Sequence, residues 1–509
     1  MNAVMSLSAL KTRMGAAIPE RVGSIVNGVH RLDEGAESWD ILYPATEEPV
    51  TQIIGASDAM VDEAAAVARR AFESGPWAAM SHDERKKIFF KIADAIDAAA
   101  EELAFLQTVE TGLPYKQLRA RHAARAAENF RFFAEIASGL SGETYTQTGT
   151  HLSLTLHEPI GVGLVISPWN APLPLASMKA AACLILGNSC IIKPSEFAPL
   201  ALFRMVEIIH EAGLPADALQ FINGGGATAG ARLTAHGDID AINFVGGTQT
   251  GRRIMANAAA GIKKVGLELG GKSANIIFDT ANFERALDAA MLAIFSGNGQ
   301  QCLAGSRILV QSSIADKFIP AFVQRAKNLR IGDPFDPATE IGPIIFKAHR
   351  DRILDYADKA ASDGDQILAG GKKASGFDKG YFIEPTVVLA RSNKSRVCQE
   401  EIFGPFATLQ TFDTIEDAIA IANDSDFGLV SYVWSDDLPT ATRMMHAIRA
   451  GTVWINTPMA RDLRAPFGGY KQSGIGRDGI PGSIELFSEQ KTVMIPMSNA
   501  PIAKLGSAD

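Results

Sequence analysis

The stretch IGVGLVISPWNAPLPLASMKAAACLILGNSCIIKPSEFAPLALFRMVEIIHEAG, residues 160–213, decides the fold. IGVGLVIS and NSCIIKP are short apolar runs bounded by turn residues, which predicts buried strands. PLASMKAAACLILG and SEFAPLALFRMVEIIHEAG have the length and period of helices. ALQFI and AINFVGG continue the series as strands. Strand and helix alternating at this spacing predict an α/β fold, a mostly parallel sheet with helices on its faces. That architecture is a nucleotide-binding class, but architecture alone does not give chemistry.

On the N-terminal side, SDAMVDEAAAVARRAFES (57–74) and HDERKKIFFKIADAIDAAAEELAFLQ (82–107) read as amphipathic helices. On the C-terminal side a second strand and helix series begins at KKVGLELGGKSANIIF and runs past residue 450, long enough for its own domain. HLSLTLHEP (151–159) and QKTVMIPM (490–497) alternate as half-exposed strands, fit to pair with each other or with another subunit.

With 509 residues, 47% hydrophobic and 21% charged, the chain can hold two sizeable domains. Its net charge of -9 gives no electrostatic reason to expect nucleic acid or an anionic membrane as partner. The first 22 residues have no continuous apolar core of signal-peptide length, so they read as a retained, frayed arm, with a cytoplasmic location as the default. The apolar region 160–192 is too broken by Pro168, Asn170, Pro172, Pro174, Lys179 and Gly187 to cross a membrane, and reads as core. Four scattered cysteines argue for reduced thiols. Nine dispersed histidines without HExxH give no support for a metal site.

GQQCLAGS (299–306) places Cys302 among small and polar residues, where it is a nucleophile or a buried thiol filling a gap. LELGGKS (267–273) embeds Glu268 between two leucines before a Gly-Gly turn. A carboxylate in apolar surroundings has a raised pKa, which suits a general base, and the alternative is a structural carboxylate bonded to backbone amides. SPWNAP (167–172) is a rigid turn at the carboxyl end of a strand. In KPSE (193–196), Lys193 and Glu196 could each hold a ribose hydroxyl, and the carboxylate would repel a 2'-phosphate, favouring NAD over NADP. The other reading is a helix capped by Ser195. FVGGTQTG (244–251) lets backbone approach a pyrophosphate without matching GxGxxG, and by itself is a tight turn. EEIFGPF (400–406) taken alone is a loop.

Together SPWNAP, KPSE, FVGGTQTG, LELGGKS, GQQCLAGSR, EEIFGPF and PFGGYKQSGIGRDG resemble, in order and spacing over nearly the whole chain, the NAD(P)-dependent aldehyde dehydrogenase superfamily. The resemblance implies a Rossmann-like cofactor domain (1–140 and 160–266), an α/β catalytic domain (267–480) and a small β oligomerisation segment (141–159 and 481–509). It also implies a homodimer or homotetramer. Cys302 is then the nucleophile, its thiohemiacetal oxyanion held by the Asn170 amide and the Cys302 N–H, and Glu268 the base that hydrolyses the thioester, with Lys179 relaying protons. The cofactor residues implied are Ile166, Ser167, Pro168, Trp169, Lys193, Ser195, Glu196, Gly226, Gly230, Phe244, Gly246, Gly247, Thr248, Glu268, Leu269, Gly270, Glu401 and Phe403. Many members have Ser at Gly247 and Thr at Val245, so phosphate binding here leans on backbone N–H groups and Trp169.

RDLRAPFGG (461–469) resembles the branch that oxidises muconic-type semialdehydes from aromatic ring cleavage. Arg464, with Arg121 second, is then the candidate partner for a substrate carboxylate, while Gln301, Leu303 and Phe467 shape the aldehyde pocket. Each arginine has a plain alternative as a solvated or interdomain side chain. General aliphatic or aromatic aldehydes are the runner-up substrates. A CoA-acylating or phosphorylating relative is opposed by Glu268. A non-catalytic binding or structural relative is opposed by Asn170, Glu268 and Cys302 together.

Overall fold

The computed structural model describes residues 4–14, 18–499 and 501–506. The strand predicted at IGVGLVIS is Val162–Ile166, buried at every position, and Ser189–Lys193 is buried likewise. Each such Val, Leu or Ile contributes about 1.5–3 kcal/mol on leaving water. Among the described residues an eight-stranded sheet runs in the order Gly474–Ile475, Lys264–Glu268, Ala241–Val245, Val162–Ile166, Ser189–Lys193, Leu219–Phe221, Ser24–Val26, Val29–Arg31. The five strands from Lys264–Glu268 to Leu219–Phe221 are mutually parallel; Gly474–Ile475 and Ser24–Val26 pair antiparallel to them at either side, and Val29–Arg31 pairs antiparallel to Ser24–Val26.

A seven-stranded sheet among the described residues has Ala274–Ile277 between Arg307–Gln311 and Val430–Trp434, all parallel. The chain crosses from one sheet to the other between Glu268 and Ala274, over the Gly270-Gly271 turn. HLSLTLHEP forms the strand His151–Pro159, which pairs antiparallel with Ser488–Pro496 in a third, separate sheet.

The mostly parallel α/β class is as expected, with local departures that have physical causes. The segment 82–107 is two helices, His82–Ala98 and Ala100–Thr111, broken at Ala99. Ser195 does not cap the next helix: its hydroxyl accepts from Phe197 N at 3.4 Å, and Leu200–Glu211 begins only after Pro199. Its free N–H groups are met instead by the Glu110 carboxylate, at 2.7 Å to Leu200 N and 3.2 Å to Ala201 N. Gly474–Ile475 joins the first sheet beside Lys264–Glu268, and Leu486 and Phe487 of helix Ile480–Phe487 pack into the first core.

The N-terminal arm read as frayed lies partly outside the described residues, at 1–3 and 15–17. Where it is described, Leu7 and Leu10 are buried, and the Leu7 N–H donates to Glu48 at 2.8 Å. Among the described residues no helix is long and apolar enough to cross a membrane.

Candidate active site

At the carboxyl end of Val162–Ile166 the chain turns through Ser167-Pro168-Trp169-Asn170 into helix Pro172–Ile185, whose proline at the first turn has no N–H to leave unpaired. This turn forms one wall of a cleft of about 1200 Å³ between the two large sheets. All eighteen residues expected to touch the cofactor line it, as do Asn170 and Cys302. Helix Thr248–Ala259 starts against the cleft after Gly247 without a side-chain cap, leaving its first N–H groups for a ligand. Among the described residues nothing lies within 4 Å of where a Cβ on Gly247 would stand, so a phosphate can approach the backbone there.

Burial holds the Lys193 amine down at about 8, and its Nζ donates to the Pro194 carbonyl at 2.9 Å. Glu196 is half-buried beside it. On the opposite wall the Glu401 carboxylate accepts from Gly271 N at 2.9 Å, and burial lifts its pKa to about 7. A Cβ on Gly270 would fall 2.2 Å from that carboxylate, so only glycine fits the turn. Phe403, with φ of +63°, meets Trp169 edge to face with centroids 5.2 Å apart.

Cys302 follows helix Phe283–Phe295 and a turn in which Gly297, Asn298 and Gly299 all have left-handed φ. Asn298 holds the turn: its amide donates to Pro343 O at 2.9 Å, and its carbonyl oxygen accepts from Gly342 N at 2.8 Å. The Asn170 amide donates to Gln300 O at 2.9 Å, which fixes it beside the cysteine loop with one N–H left over. Burial, then the charges of Glu401 and Glu268, push the Cys302 thiol up to about 12, while the Arg461 guanidinium acts in the opposite direction.

Glu268 ends the strand Lys264–Glu268, and its Oε2 is buried without a hydrogen-bond partner among the described residues. Burial raises its pKa well above the usual carboxylate range and Asp478 raises it further, opposed by Lys179, Arg461 and Arg477. Lys179 is not in the cleft wall. It is buried in an ion pair with Asp478 at 2.7 Å. A raised carboxylate, a thiol and a free amide N–H in one cleft can perform acid–base and nucleophilic chemistry at a carbonyl.

The expected substrate residues fare differently. Arg464 is exposed, paired bidentately with Asp462, its Nη2 at 2.7 Å, and is not among the residues that line the cleft. Arg121 is exposed on the irregular turn Arg119–Ala123. The Gln301 amide donates to Ala293 O and Ser296 Oγ, tying down the preceding helix end. Leu303 is half-buried, and its carbonyl accepts from Tyr432 at 2.7 Å. Phe467 is buried beneath the guanidinium of Arg461, 3.9 Å from its ring centroid.

Arg461 is the residue that sequence reasoning passed over, although it stands in the same RDLR motif as Arg464. Spacing alone could not say which of the two arginines turns inward. Asp478 was likewise missed within GIGRDG, and the helix carrying His349 and Arg352 gave no signal at all.

The fold and cleft define the class: an α/β protein with a thiol and a buried carboxylate in a cleft between two large sheets. The chain belongs to the aldehyde dehydrogenase family, whose sequence model matches residues 31–493. It is 43% identical over 441 residues to 5-carboxymethyl-2-hydroxymuconate semialdehyde dehydrogenase of Escherichia coli, covering 86% of this chain and 93% of that one. It is 38% identical over 479 residues to betaine aldehyde dehydrogenase of Brucella canis, covering 94% and 98%. The solved NAD+ complex of a Bacillus cereus aldehyde dehydrogenase superposes with a TM-score of 0.93 at 36% identity, covering 98% of this chain and 100% of that one.

Proposed function

We propose that this aldehyde dehydrogenase uses NAD+ to oxidise a semialdehyde that carries a carboxylate, through a thioester on Cys302. The observation that carries the substrate class is Arg461. Its guanidinium lies on the Phe467 ring and 3.9 Å from the Met178 sulfur, and among the described residues no carboxylate lies within ion-pair distance of it. Its charge nevertheless acts on both Cys302 and Glu268. A half-buried guanidinium beside the reacting groups, with no ion-pair partner among the described residues, is stabilised by an anion, and a substrate carboxylate supplies one. A quaternary ammonium substrate, of the betaine aldehyde type, would meet the same positive charge and be disfavoured.

The residues then take these roles. Glu268 accepts the thiol proton, and Cys302 Sγ attacks the carbonyl carbon to give a thiohemiacetal. The free N–H of Asn170 and the backbone N–H of Cys302 donate to the oxyanion. Removing one such donor costs about 10²- to 10³-fold in rate. NAD+ in the cleft supplies the hydride acceptor that turns the thiohemiacetal into a thioester. Glu268 releases the thiol proton to solvent before it deprotonates the water that frees the acid, and the Lys179–Asp478 pair tunes it.

The cleft fits the dinucleotide. The uncapped helix start at Gly247 and Thr248 suits the pyrophosphate, Lys193 and Glu196 the adenosine ribose, and Glu401 and Phe403 the nicotinamide end. The Glu196 carboxylate disfavours a 2'-phosphate. The third sheet supports self-association: among the described residues Ser488–Pro496 is its edge strand, with Met494 and Ile495 exposed opposite Ser153 and Leu152. Light scattering that returned a monomer would refute that part.

The test is NADH formation with an acid semialdehyde and with a neutral aldehyde of similar size. No oxidation of either sinks the catalytic reading. Equal kcat/KM for the two sinks the substrate class alone.

A further inference from the structure

Strands Val430–Trp434 and Thr452–Ile455 lie side by side in the second large sheet, with Tyr432 directly opposite Trp454. Both side chains are buried, and their ring centroids are 5.0 Å apart. The polar tips of the two rings reach two different loops. The Tyr432 hydroxyl donates to the Leu303 carbonyl at 2.7 Å, one residue after Cys302. The Trp454 indole N–H donates to the Ala460 carbonyl at 2.8 Å, one residue before Arg461. A packed aromatic pair with a hydrogen bond at each end thus joins the loop of the thiol to the loop of the guanidinium.

Each loop has a local reason to need such a tie. On the Arg461 side, Asn456 and Met459 have left-handed φ of +52° and +51°, a conformation kept only where the surroundings over-determine it. Asn456 is fixed at the start of the loop, where its side-chain amide donates to Ser435 O at 2.8 Å and its side-chain oxygen accepts from Ser435 N at 3.0 Å. Trp454 fixes the far end, beside Arg461. On the Cys302 side, a Cβ on Gly305 would stand 3.2 Å from the Tyr432 ring, so the glycine lets the chain lie against that ring. Burial, then the charge of Cys302, pushes the phenol pKa up, and Tyr432 keeps the proton it donates.

We propose that Tyr432 and Trp454 are positioning residues, a spacer that fixes the separation between Cys302 and Arg461 and so selects the length of the semialdehyde between its carbonyl and its carboxylate. This rests on the reading that Arg461 holds the substrate carboxylate. Neither ring has to touch the substrate. Tyr432 acts through Leu303 and Trp454 through Ala460, so loosening either tie blurs the length that fits.

The experiment uses the full-length protein, NAD+ and succinic, glutaric and adipic semialdehydes, which lengthen by one methylene at a time. Tyr432→Phe, Trp454→Phe and the double variant keep an aromatic ring at each position and remove only the donors. Length selectivity is the ratio of kcat/KM between the best semialdehyde and its neighbour in the series. Because it is a ratio within one protein, a lower yield of folded enzyme or a slower thiol cancels from it. Wild type should show a selectivity of about tenfold or more, the worth of a misplaced methylene in a fitted site. Tyr432→Phe and Trp454→Phe should each cut it about three- to tenfold, the worth of one neutral hydrogen bond. The double variant should lose less than the product of the two, since one broken tie already frees the spacing. Unchanged selectivity in either single variant overturns the proposal, as does a wild type without length selectivity or a double variant that multiplies the two losses. Arg461→Ala is the separate control: if the preference for acid over neutral aldehyde survives there, the substrate reading fails and this proposal with it.

Discussion

Lys179 Nζ lies 2.7 Å from Asp478 Oδ1, and both side chains are buried although 299 residues separate them in the chain. Their charges act in opposite senses on Glu268, Asp478 raising its pKa and Lys179 lowering it. A base works only when deprotonated, so activity is lost as pH falls through the raised Glu268 pKa. Asp478→Asn should move the acidic limb of the kcat profile to lower pH, and Lys179→Met should move it to higher pH. Both variants should lose stability, by about 3–5 kcal/mol where a buried charge is left alone. Limbs that move the same way in both variants would show that the pair does not tune the base.

Cys302→Ala should lower kcat by about 10⁴-fold or more, as for other covalent nucleophiles, with NADH affinity preserved. A variant that still turns over would remove the thiol from the mechanism.

Because the Cys302 thiol is pushed up to about 12, its alkylation by iodoacetamide should rise about tenfold per pH unit through neutrality, following the thiolate fraction. Arg461 favours the thiolate, so Arg461→Ala should slow alkylation at any given pH. A rate that levels off near neutral pH would mean that the free enzyme already holds a thiolate.

Arg461→Ala should cut kcat/KM for an acid semialdehyde by about 10- to 100-fold, the worth of a charge-assisted hydrogen bond. Its kcat/KM for a neutral aldehyde should change little. Arg464→Ala, which removes only an exposed pair with Asp462, should match wild type on both. The reverse pattern would return the carboxylate to Arg464.

Glu110 bonds Leu200 N and Ala201 N from another helix, and burial lifts its pKa to about 8. Between the unfolded carboxyl value and about 8 the folded chain holds a proton that the unfolded chain has released. The resulting stability is full below that range and is lost as pH rises through it. Glu110→Gln cannot titrate, so its Tm deficit against wild type should shrink from acid to mildly alkaline pH. A deficit independent of pH would contradict the raised pKa.

The alternation of apolar runs in residues 160–213 was enough to read the parallel sheet, because buried strands and amphipathic helices leave different periods in the chain. The cleft wall was legible in the same way. Ser167–Asn170, Gly246–Thr248 and Gly270 are turn residues at strand ends, where local composition and function coincide. Ser195 shows the limit of that reading. It has a capping sequence but no helix to cap, since the next helix starts at Leu200 and takes its cap from Glu110.

The sequence by itself determined the α/β class and the turns at strand ends, which follow from short-range patterns. The roles proposed for Asn170, Glu268 and Cys302 came from the resemblance of several linked motifs, because each residue alone has a plain structural use. Only the tertiary structure decided that Arg461 and not Arg464 stands by the thiol, that Lys179 pairs with Asp478, and that Tyr432 and Trp454 join the loops of Cys302 and Arg461. Two arginines three residues apart are equivalent to any local rule. Their difference is set by which one finds Phe467 and Met178 across the fold and which one finds Asp462 in solvent.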